Sequence, residues 1–124
     1  MISETMVRSD VPDAFAVIRV PFPFTERVAS KNRPALVLSS REQFNIPAGH
    51  SVMAMITSAH NPPWPLDYVL QDLESAGLPA PSRVRCKLFT LDQRLMRGVL
   101  GRLSARDEAQ VRAILAQLLV LDTR

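Results

Sequence analysis

The residues best suited to chemistry in this chain are an arginine and a threonine that each adjoin a predicted strand. Arg33 precedes Pro34, and the proline ring restricts Arg33 to extended backbone geometry. A guanidinium held in this way offers a rigid fork of donors that suits phosphate oxygens. Thr57, followed by Ser58, ends an apolar run, where its hydroxyl either holds a phosphate oxygen or simply caps a turn. The pair indicates metal-free chemistry on a phosphodiester, which also requires proton transfer.

A row of basic residues lies in the predicted strand at 82–89. Alternation places Arg83, Arg85 and Lys87 on one face with Phe89, and apolar side chains on the other. Like charges on one strand face repel one another, so a polyanionic ligand would relieve that repulsion. The alternative is a solvated edge strand whose basic residues discourage aggregation. From residue 83 to residue 106 there are seven basic residues and one acid, which suits a polyanion.

Other kinds of catalytic site have little support in the sequence. The two histidines, His50 and His60, have no cysteine or carboxylate at ligand spacing, so we expect no metal and no cofactor. Neither a glycine-rich phosphate loop nor a serine-nucleophile motif occurs. His60 follows Thr57 by three residues and is a hypothetical proton carrier near neutral pH. A histidine in a surface loop often has no such role.

Length and composition fit one domain that spans residues 1–124. The residues are 47% hydrophobic, which is enough for a core, and the net charge is +3. Thirteen of the fifteen basic residues are arginine, the cation that suits phosphate best. No apolar run reaches about 18 residues, so we expect no membrane-spanning helix. The single cysteine, Cys86, cannot form an internal disulfide, which fits a cytoplasmic location.

The hydrophobic pattern predicts a mainly β domain with about six short strands and a C-terminal helix. Residues 1–13 are expected to form a loose lead-in. Strands are predicted at 15–20, 35–39, 52–57, 68–70, 82–89 and 98–103. Short helical turns are predicted at 72–76, closed by Gly77, and at 92–96. An amphipathic helix is predicted at 104–119, with Ser104 and Asp107 as its capping box. Short strands with Pro- and Gly-rich turns favour a strongly bent barrel or sandwich.

Several motifs follow one another in order along residues 15–121. They are VPFPFT at 20–25, KNRPALVLS at 31–39, ITS at 56–58, AGLPAPSRV at 76–84, TLD at 90–92 and GRLS at 101–104, before the C-terminal helix. This series resembles the MazF/PemK family of toxins from bacterial type II toxin–antitoxin systems. The resemblance implies an SH3-like β-barrel with a terminal helix that works as a homodimer. It also implies a partner, the cognate antitoxin, which would be a partly disordered acidic chain.

The activity that the resemblance implies is metal-independent cleavage of single-stranded RNA at short sequences. The ribose 2′-OH attacks the adjacent phosphate, which leaves a 2′,3′-cyclic phosphate and a 5′-OH. By this resemblance Arg33 stabilises the phosphorane and Thr57 orients the scissile phosphate or the leaving oxygen. Candidate supporting residues are Ser58, His60 and Glu26. Candidate RNA-binding residues are Lys31, Ser82, Arg83, Arg85 and Lys87.

The sequence departs from the family pattern at the start of the first strand. Family members carry Gly-Asp there, whereas this chain has Phe15 and Ala16, with Asp13 slightly upstream. Two alternatives therefore stay open. One is a protein-binding toxin of the same fold, similar to the gyrase-poisoning CcdB proteins, in which the C-terminal helix carries the function. The other is a catalytically inactive relative that only binds RNA or partners.

Overall fold

A computed structural model of the chain describes residues 10–22 and 31–121. Within these residues, six antiparallel strands form one curled sheet in the order β4-β5-β3-β2-β1-β6. The strands are β1 (Ala16–Phe22), β2 (Lys31–Val37), β3 (His50–Ser58), β4 (Tyr68–Val69), β5 (Ser82–Asp92) and β6 (Val99–Arg102). The mainly β class and its six short strands are confirmed. Glu26, a candidate supporting residue, lies outside the described residues.

Short helical elements connect the strands, and one longer helix follows them. A π-helical turn, Arg41–Asn45, leads into α1 (Ile46–Ala48), and α2 (Leu73–Ala76) follows β4. A 3₁₀ turn, Gln93–Leu95, precedes β6, and α3 (Ala105–Leu118) comes last. None of the described helices is long and apolar enough to cross a membrane.

Both faces of the sheet carry an apolar cluster, which explains the continuous apolar run in β2. One face packs Val17, Leu36 and Ile56 against Val111 of α3. On the opposite face lies the second cluster, formed by Ile18, Val20, Ala35, Val37, Met53 and Leu91. Because strand side chains alternate, Leu36 serves one cluster while its neighbours Ala35 and Val37 serve the other. The second face continues toward the candidate site described below.

Helix α2 follows the edge strand β4 and packs against the opposite edge strand, β6. Gly77 ends α2 in the left-handed conformation, with φ 72°, as the predicted helix cap requires. A Cβ at Gly77 would collide with the Leu100 carbonyl, and one at Gly101 would collide with the Ser75 carbonyl. Only glycine permits this close approach of two backbones. The β4 and β6 edges of the sheet are therefore joined through α2.

The end of the expected lead-in is packed rather than loose. Val11 is fully buried, and its carbonyl accepts a hydrogen bond from Arg41 Nε at 2.7 Å. The Asn45 amide donates to the Pro12 carbonyl at 2.9 Å. The prediction for residues 10–13 was therefore wrong, because the π-helical turn supplies polar partners that a sequence pattern does not show.

Strand β2 begins earlier than predicted, so Arg33 lies within a strand and not at a corner before one. Pro34 occupies the ladder opposite Arg19, and Arg33 lies opposite Val20. Strand β1 likewise continues through Pro21 to Phe22. This is possible because β1 pairs with β6 only at residues 16–18, so the proline lies where β1 is an edge strand.

The C-terminal helix begins and ends as predicted, but its capping box is only half formed. Ser104 caps the helix and accepts a hydrogen bond from the Asp107 N–H at 3.2 Å. The Asp107 carboxylate is fully buried and accepts instead from the Tyr68 hydroxyl and the Gln71 and Asp72 N–H groups. It therefore anchors α3 to the segment after β4.

Candidate active site

An open cavity of about 220 Å³ lies where the second face of the sheet reaches solvent. Its lining comes from β1, β2, β3, β5 and the loop after β3, and consists of Phe22, Arg33, Met55, Ile56, Thr57, Asn61, Arg85 and Lys87. Arg33 and Thr57, the two predicted catalytic residues, therefore line one cavity. Two of the predicted RNA-binding residues, Arg85 and Lys87, line it as well.

Strand register explains why Arg33 and Thr57 meet. The ladder between β2 and β3 pairs Ala35 with Met55. Arg33 lies two residues before Ala35 and Thr57 two residues after Met55, so both side chains project from the same face as that pair. Met55 in turn pairs with Arg85 on β5. The face thus presents an arginine, a hydroxyl and a second arginine on three neighbouring strands.

Lys87 lines the cavity from a bulge in β5. Ala54 pairs with Leu88 and the next residue, Met55, pairs with Arg85, so two residues of β5 have no partner on β3. Lys87 is one of them and is exposed. Its ammonium lies 6.0 Å from the centre of the Phe22 ring, and the Arg33 guanidinium lies 5.9 Å from the same centre. Phe22 thus provides an apolar floor to two cations at cation–π distance.

The Thr57 hydroxyl has a defined partner in Asn61. The Asn61 side-chain amide donates to Thr57 Oγ1 at 2.6 Å. Asn61 is placed by a turn in which its backbone N–H donates to the Ser58 carbonyl at 3.1 Å. Because Thr57 Oγ1 accepts this bond, its own proton remains available for an oxygen in the cavity.

The loop at 59–67 is attached to β5 by an ion pair. Asp67 accepts from Arg85 at both oxygens, at 3.2 Å from Nε and 2.9 Å from Nη2, and its side chain is 4% exposed. Burial acts to raise the pKa of Asp67, but the Arg85 and Trp64 hydrogen bonds and the arginine charges outweigh it and hold the pKa below its ordinary value. The pair is therefore fully ionised at neutral pH.

Two further contacts fix the same loop. Arg83 donates from Nη2 to the Ala59 carbonyl at 2.8 Å, and its guanidinium lies 3.9 Å from Asp67. Arg85 also donates to the Pro62 carbonyl and lies 4.8 Å from the centre of the Trp64 ring. The predicted cationic row therefore exists on β5, but the loop engages two of its three members.

The remaining predicted residues that the structure describes lie outside the lining of the cavity. Ser58 is exposed, and its hydroxyl accepts from the His60 N–H at 3.2 Å. His60 is exposed in the same turn. Ser82 is buried and donates to the Ala80 carbonyl, while Lys31 is exposed at the start of β2. Among the described residues, no three His, Cys, Asp or Glu side chains are grouped so as to hold a metal ion.

A family model for the PemK-like, MazF-like toxins of type II toxin–antitoxin systems matches residues 13–119. The chain belongs to this family. No curated protein sequence matches the chain. Its membership in the PemK/MazF family therefore rests on the family model and on solved structures.

The solved structures agree with that assignment. MazF from Deinococcus radiodurans is 28% identical, with 88% of this chain and 96% of that chain covered and a TM-score of 0.67. A MazE–MazF complex from the same organism is 25% identical over 90% of this chain and 98% of that one, with a TM-score of 0.68. A mycobacterial endoribonuclease in complex with its cognate antitoxin is 17% identical over 93% of this chain and 99% of that one, with a TM-score of 0.70. At that identity the last shows the fold alone.

This PemK/MazF chain also contains site residues that the sequence did not single out. Asn61 and Asp67 belong to a loop whose course no periodicity predicts, so their contacts with Thr57 and Arg85 were missed. A signal for Asp67 did exist, since three arginine or lysine residues on one strand face require a counter-charge nearby. Asn61 offered no comparable signal.

Proposed function

We propose that the chain is the toxin of a type II toxin–antitoxin system and a sequence-specific, metal-independent endoribonuclease for single-stranded RNA. The observation that carries the proposal is the cavity that joins Arg33, Thr57 and Lys87 on one sheet face. The family supplies the reaction class, and the cavity supplies cations and a hydroxyl donor for a phosphate. Membership of the family alone would not distinguish an active enzyme from an inactive relative.

In the proposed reaction the ribose 2′-oxygen attacks the adjacent phosphorus. The bond from phosphorus to O2′ forms, the bond to the 5′-oxygen breaks, and a proton passes from the 2′-OH to solvent while another reaches the leaving oxygen. Negative charge accumulates on the non-bridging oxygens of the phosphorane. Arg33 stabilises that charge, since its guanidinium is exposed at the cavity and held over Phe22.

Thr57 holds the scissile phosphate in this proposal. Its oxygen accepts from Asn61, so its O–H donates to a phosphate oxygen or to the leaving oxygen. Asn61 is a positioning residue that fixes the Thr57 hydroxyl. Ser58 supports the turn through its bond with the His60 N–H.

The RNA strand is proposed to follow the basic rim of the cavity. Lys87 and Lys31 are exposed and provide phosphate contacts, and Arg85 contributes at the cavity wall. Arg83 and Ser82 lie outside the cavity lining, and Arg83 holds the loop through its hydrogen bond to the Ala59 carbonyl. The bases of a single strand can unstack there and become accessible.

His60 remains a hypothetical proton carrier. Its position three residues after Thr57 motivates the hypothesis, whereas its exposure outside the cavity lining argues for a turn residue. Comparing cleavage rates of the wild type and His60→Ala from about pH 5.5 to 8 decides between them. If the wild-type cleavage rate changes with pH near neutrality and this change is lost in His60→Ala, proton transfer by His60 is supported. If the two pH–rate profiles are the same, proton transfer by His60 is ruled out.

Two partners belong to the proposal. One is an acidic, partly disordered antitoxin, which the net charge of +3 would attract. The other is a second copy of the chain. Sedimentation equilibrium measures the mass of the protein in solution. A homodimer should have twice the chain mass of 13.8 kDa, and a mass of 13.8 kDa at micromolar concentration would refute the homodimer.

Primer extension on a long RNA incubated with purified protein in EDTA tests the proposed enzyme. Discrete cuts are expected with the wild type, and Arg33→Ala should lower their rate by about a hundredfold or more. Thr57→Ala should also lose activity. The matched control is Arg94→Ala, because Arg94 is exposed and pairs with Asp92. Intact RNA with a wild-type protein that is still toxic on expression would favour the gyrase-poison alternative.

A further inference from the structure

We propose that Trp64 forms a nucleobase-stacking subsite beside the cavity, where it takes an unstacked base of the RNA strand. The inference rests on the proposed function, because the ligand is the single-stranded substrate of the same site. Trp64 is the single tryptophan of the chain, and 45% of it is exposed. An aromatic side chain of this size left in solvent needs an explanation, since tryptophan gains most from burial.

The ring lies next to the cavity and is backed by a cation. The Arg85 guanidinium lies 4.8 Å from the ring centre, and Arg85 also lines the cavity. One residue therefore links the ring to the cavity that contains Thr57. Stacked bases on an aromatic ring, with an arginine contributing a cation–π contact, are a recurrent way of binding single strands.

Polar bonds and prolines fix the backbone of Trp64. The Trp64 backbone N–H donates to Asp67 Oδ2 at 2.9 Å, and the Asp67 backbone N–H donates to the Trp64 carbonyl at 3.2 Å. Pro63 and Pro65 flank the tryptophan and restrict its backbone. A side chain fixed before the ligand arrives loses little conformational entropy on binding. The backbone that carries the ring is thus preorganised, and Arg85 contacts the ring while 45% of Trp64 remains exposed.

The competing explanation is that Trp64 only shields the Arg85–Asp67 ion pair from water. That role requires a bulky apolar group but no ligand. The two explanations differ in what a leucine and a phenylalanine would do. Leucine shields without stacking, whereas phenylalanine stacks as well as shields.

The experiment measures Trp64 fluorescence while an RNA oligonucleotide of about 12 nucleotides is added. If primer extension finds a cut sequence, the oligonucleotide contains it with 2′-deoxyribose at the cleaved position. If no cut is found, the oligonucleotide is an all-RNA strand of one fixed arbitrary sequence. Because the chain has one tryptophan, all tryptophan emission reports this site. We expect saturable quenching, and an abasic nucleotide at one position should abolish it and weaken binding by roughly tenfold.

Fluorescence anisotropy of the labelled oligonucleotide then compares the variants. Trp64→Phe should bind nearly as tightly as the wild type, and Trp64→Leu should bind roughly tenfold more weakly. Equal binding by Trp64→Leu and the wild type, with no quenching, overturns the subsite even if the enzyme cleaves RNA. Absence of cleavage together with position-specific quenching would refute the proposed enzyme and leave the subsite standing.

Discussion

At the scale of single residues, Thr57 depends on Asn61 for its orientation. We expect Asn61→Ala to lower kcat about fivefold to tenfold with little change in KM, because one hydrogen bond that orients the donor is lost. Asn61→Asp should be worse, since a carboxylate cannot donate to Thr57 Oγ1 and repels the phosphate. Steady-state cleavage of a short fluorogenic RNA gives both constants.

The matched control is Asn32→Ala, because Asn32 is an exposed asparagine of β2 whose side chain accepts from Arg97. It should cleave like the wild type. If Asn61→Ala raised KM alone, Asn61 would contact the substrate directly and would not position Thr57.

Arg33 and Thr57 were singled out by their residue types and by the family resemblance. Their meeting depends on the register of β2 and β3, which the sequence analysis did not predict. Asn61 and Asp67 belong to an irregular loop, where contacts depend on tertiary structure that one-dimensional patterns do not encode. The Arg33 motif was also interpreted too locally, since Arg33 and Pro34 both pair with β1 instead of preceding the strand.

At the scale of elements, the Asp67–Arg85 pair attaches the 59–67 loop to β5. Asp67→Asn leaves Arg85 without its carboxylate partner in a site where the Arg85 side chain is 11% exposed. We expect a lower free energy of unfolding in urea at pH 7, because the Arg85 guanidinium loses the carboxylate to which it donates from two nitrogens. Cleavage should fall as well, because the loop carries Asn61.

The pH dependence of the Asp67–Arg85 pair has a definite sign. The pKa of Asp67 is lower in the folded chain than its ordinary value of 3.8, so the pair stabilises the fold above that value. The stabilisation disappears as the pH falls through the lower, folded pKa. Asp67→Asn should therefore lose less stability than the wild type between pH 5 and acid pH, and an equal loss would contradict the role of the pair.

Phe15 immediately precedes β1, at the position where the family pattern described above has Gly-Asp. Phe15 has φ 70°, a conformation that favours glycine, yet its ring is buried and stacks with Arg112 at 4.6 Å. Phe15→Ala should cost about 3 to 5 kcal/mol, because the ring is lost. Phe15→Gly should be about 1 kcal/mol more stable than Phe15→Ala, because it relieves the strained backbone. Urea denaturation measures both, and an alanine variant more stable than the glycine one would show that no strain exists.

Element types were predictable from alternation and helical spacing, whereas some boundaries were not. The predicted bounds of helix α3 agree with the structure because Ser104 caps the helix and its apolar spacing is regular. The π-helical turn at Arg41–Asn45 was not predicted, since long-range hydrogen bonds to the Val11 and Pro12 carbonyls and to the Asp13 carboxylate hold it. Strand β2 starts early because pairing with β1 extends it.

At the scale of the whole molecule, the Tyr68–Asp107 bond joins the terminal helix to the sheet. Burial and the hydrogen bond to Asp107 raise the pKa of Tyr68 from 10 to about 12. Tyr68 is the single tyrosine, so absorbance at 295 nm follows it alone. We expect a folded titration midpoint near pH 12, provided the chain remains folded at that pH.

The hydrogen bond from the Tyr68 hydroxyl to Asp107 should stabilise the fold fully below pH 10. This stabilisation should disappear as the pH rises through the pKa of Tyr68 in the folded chain. Asp107→Asn is the informative variant, because it removes the charge that opposes ionisation of Tyr68. The titration midpoint of Tyr68 in this variant should shift toward pH 10. A midpoint near 10 in the wild type would show that the Tyr68–Asp107 contact does not form.

The central claim, that this cavity cleaves RNA through the ribose 2′-OH, is tested most directly by one substrate substitution. A short RNA that contains the cut sequence is compared in EDTA with the same RNA carrying 2′-deoxyribose at the cleaved nucleotide, and fragments are weighed by mass spectrometry. We predict a 2′,3′-cyclic phosphate from the RNA, no cleavage of the deoxy substrate, and loss of cleavage by Arg33→Ala. Cleavage of the deoxy substrate at the same position would contradict the mechanism.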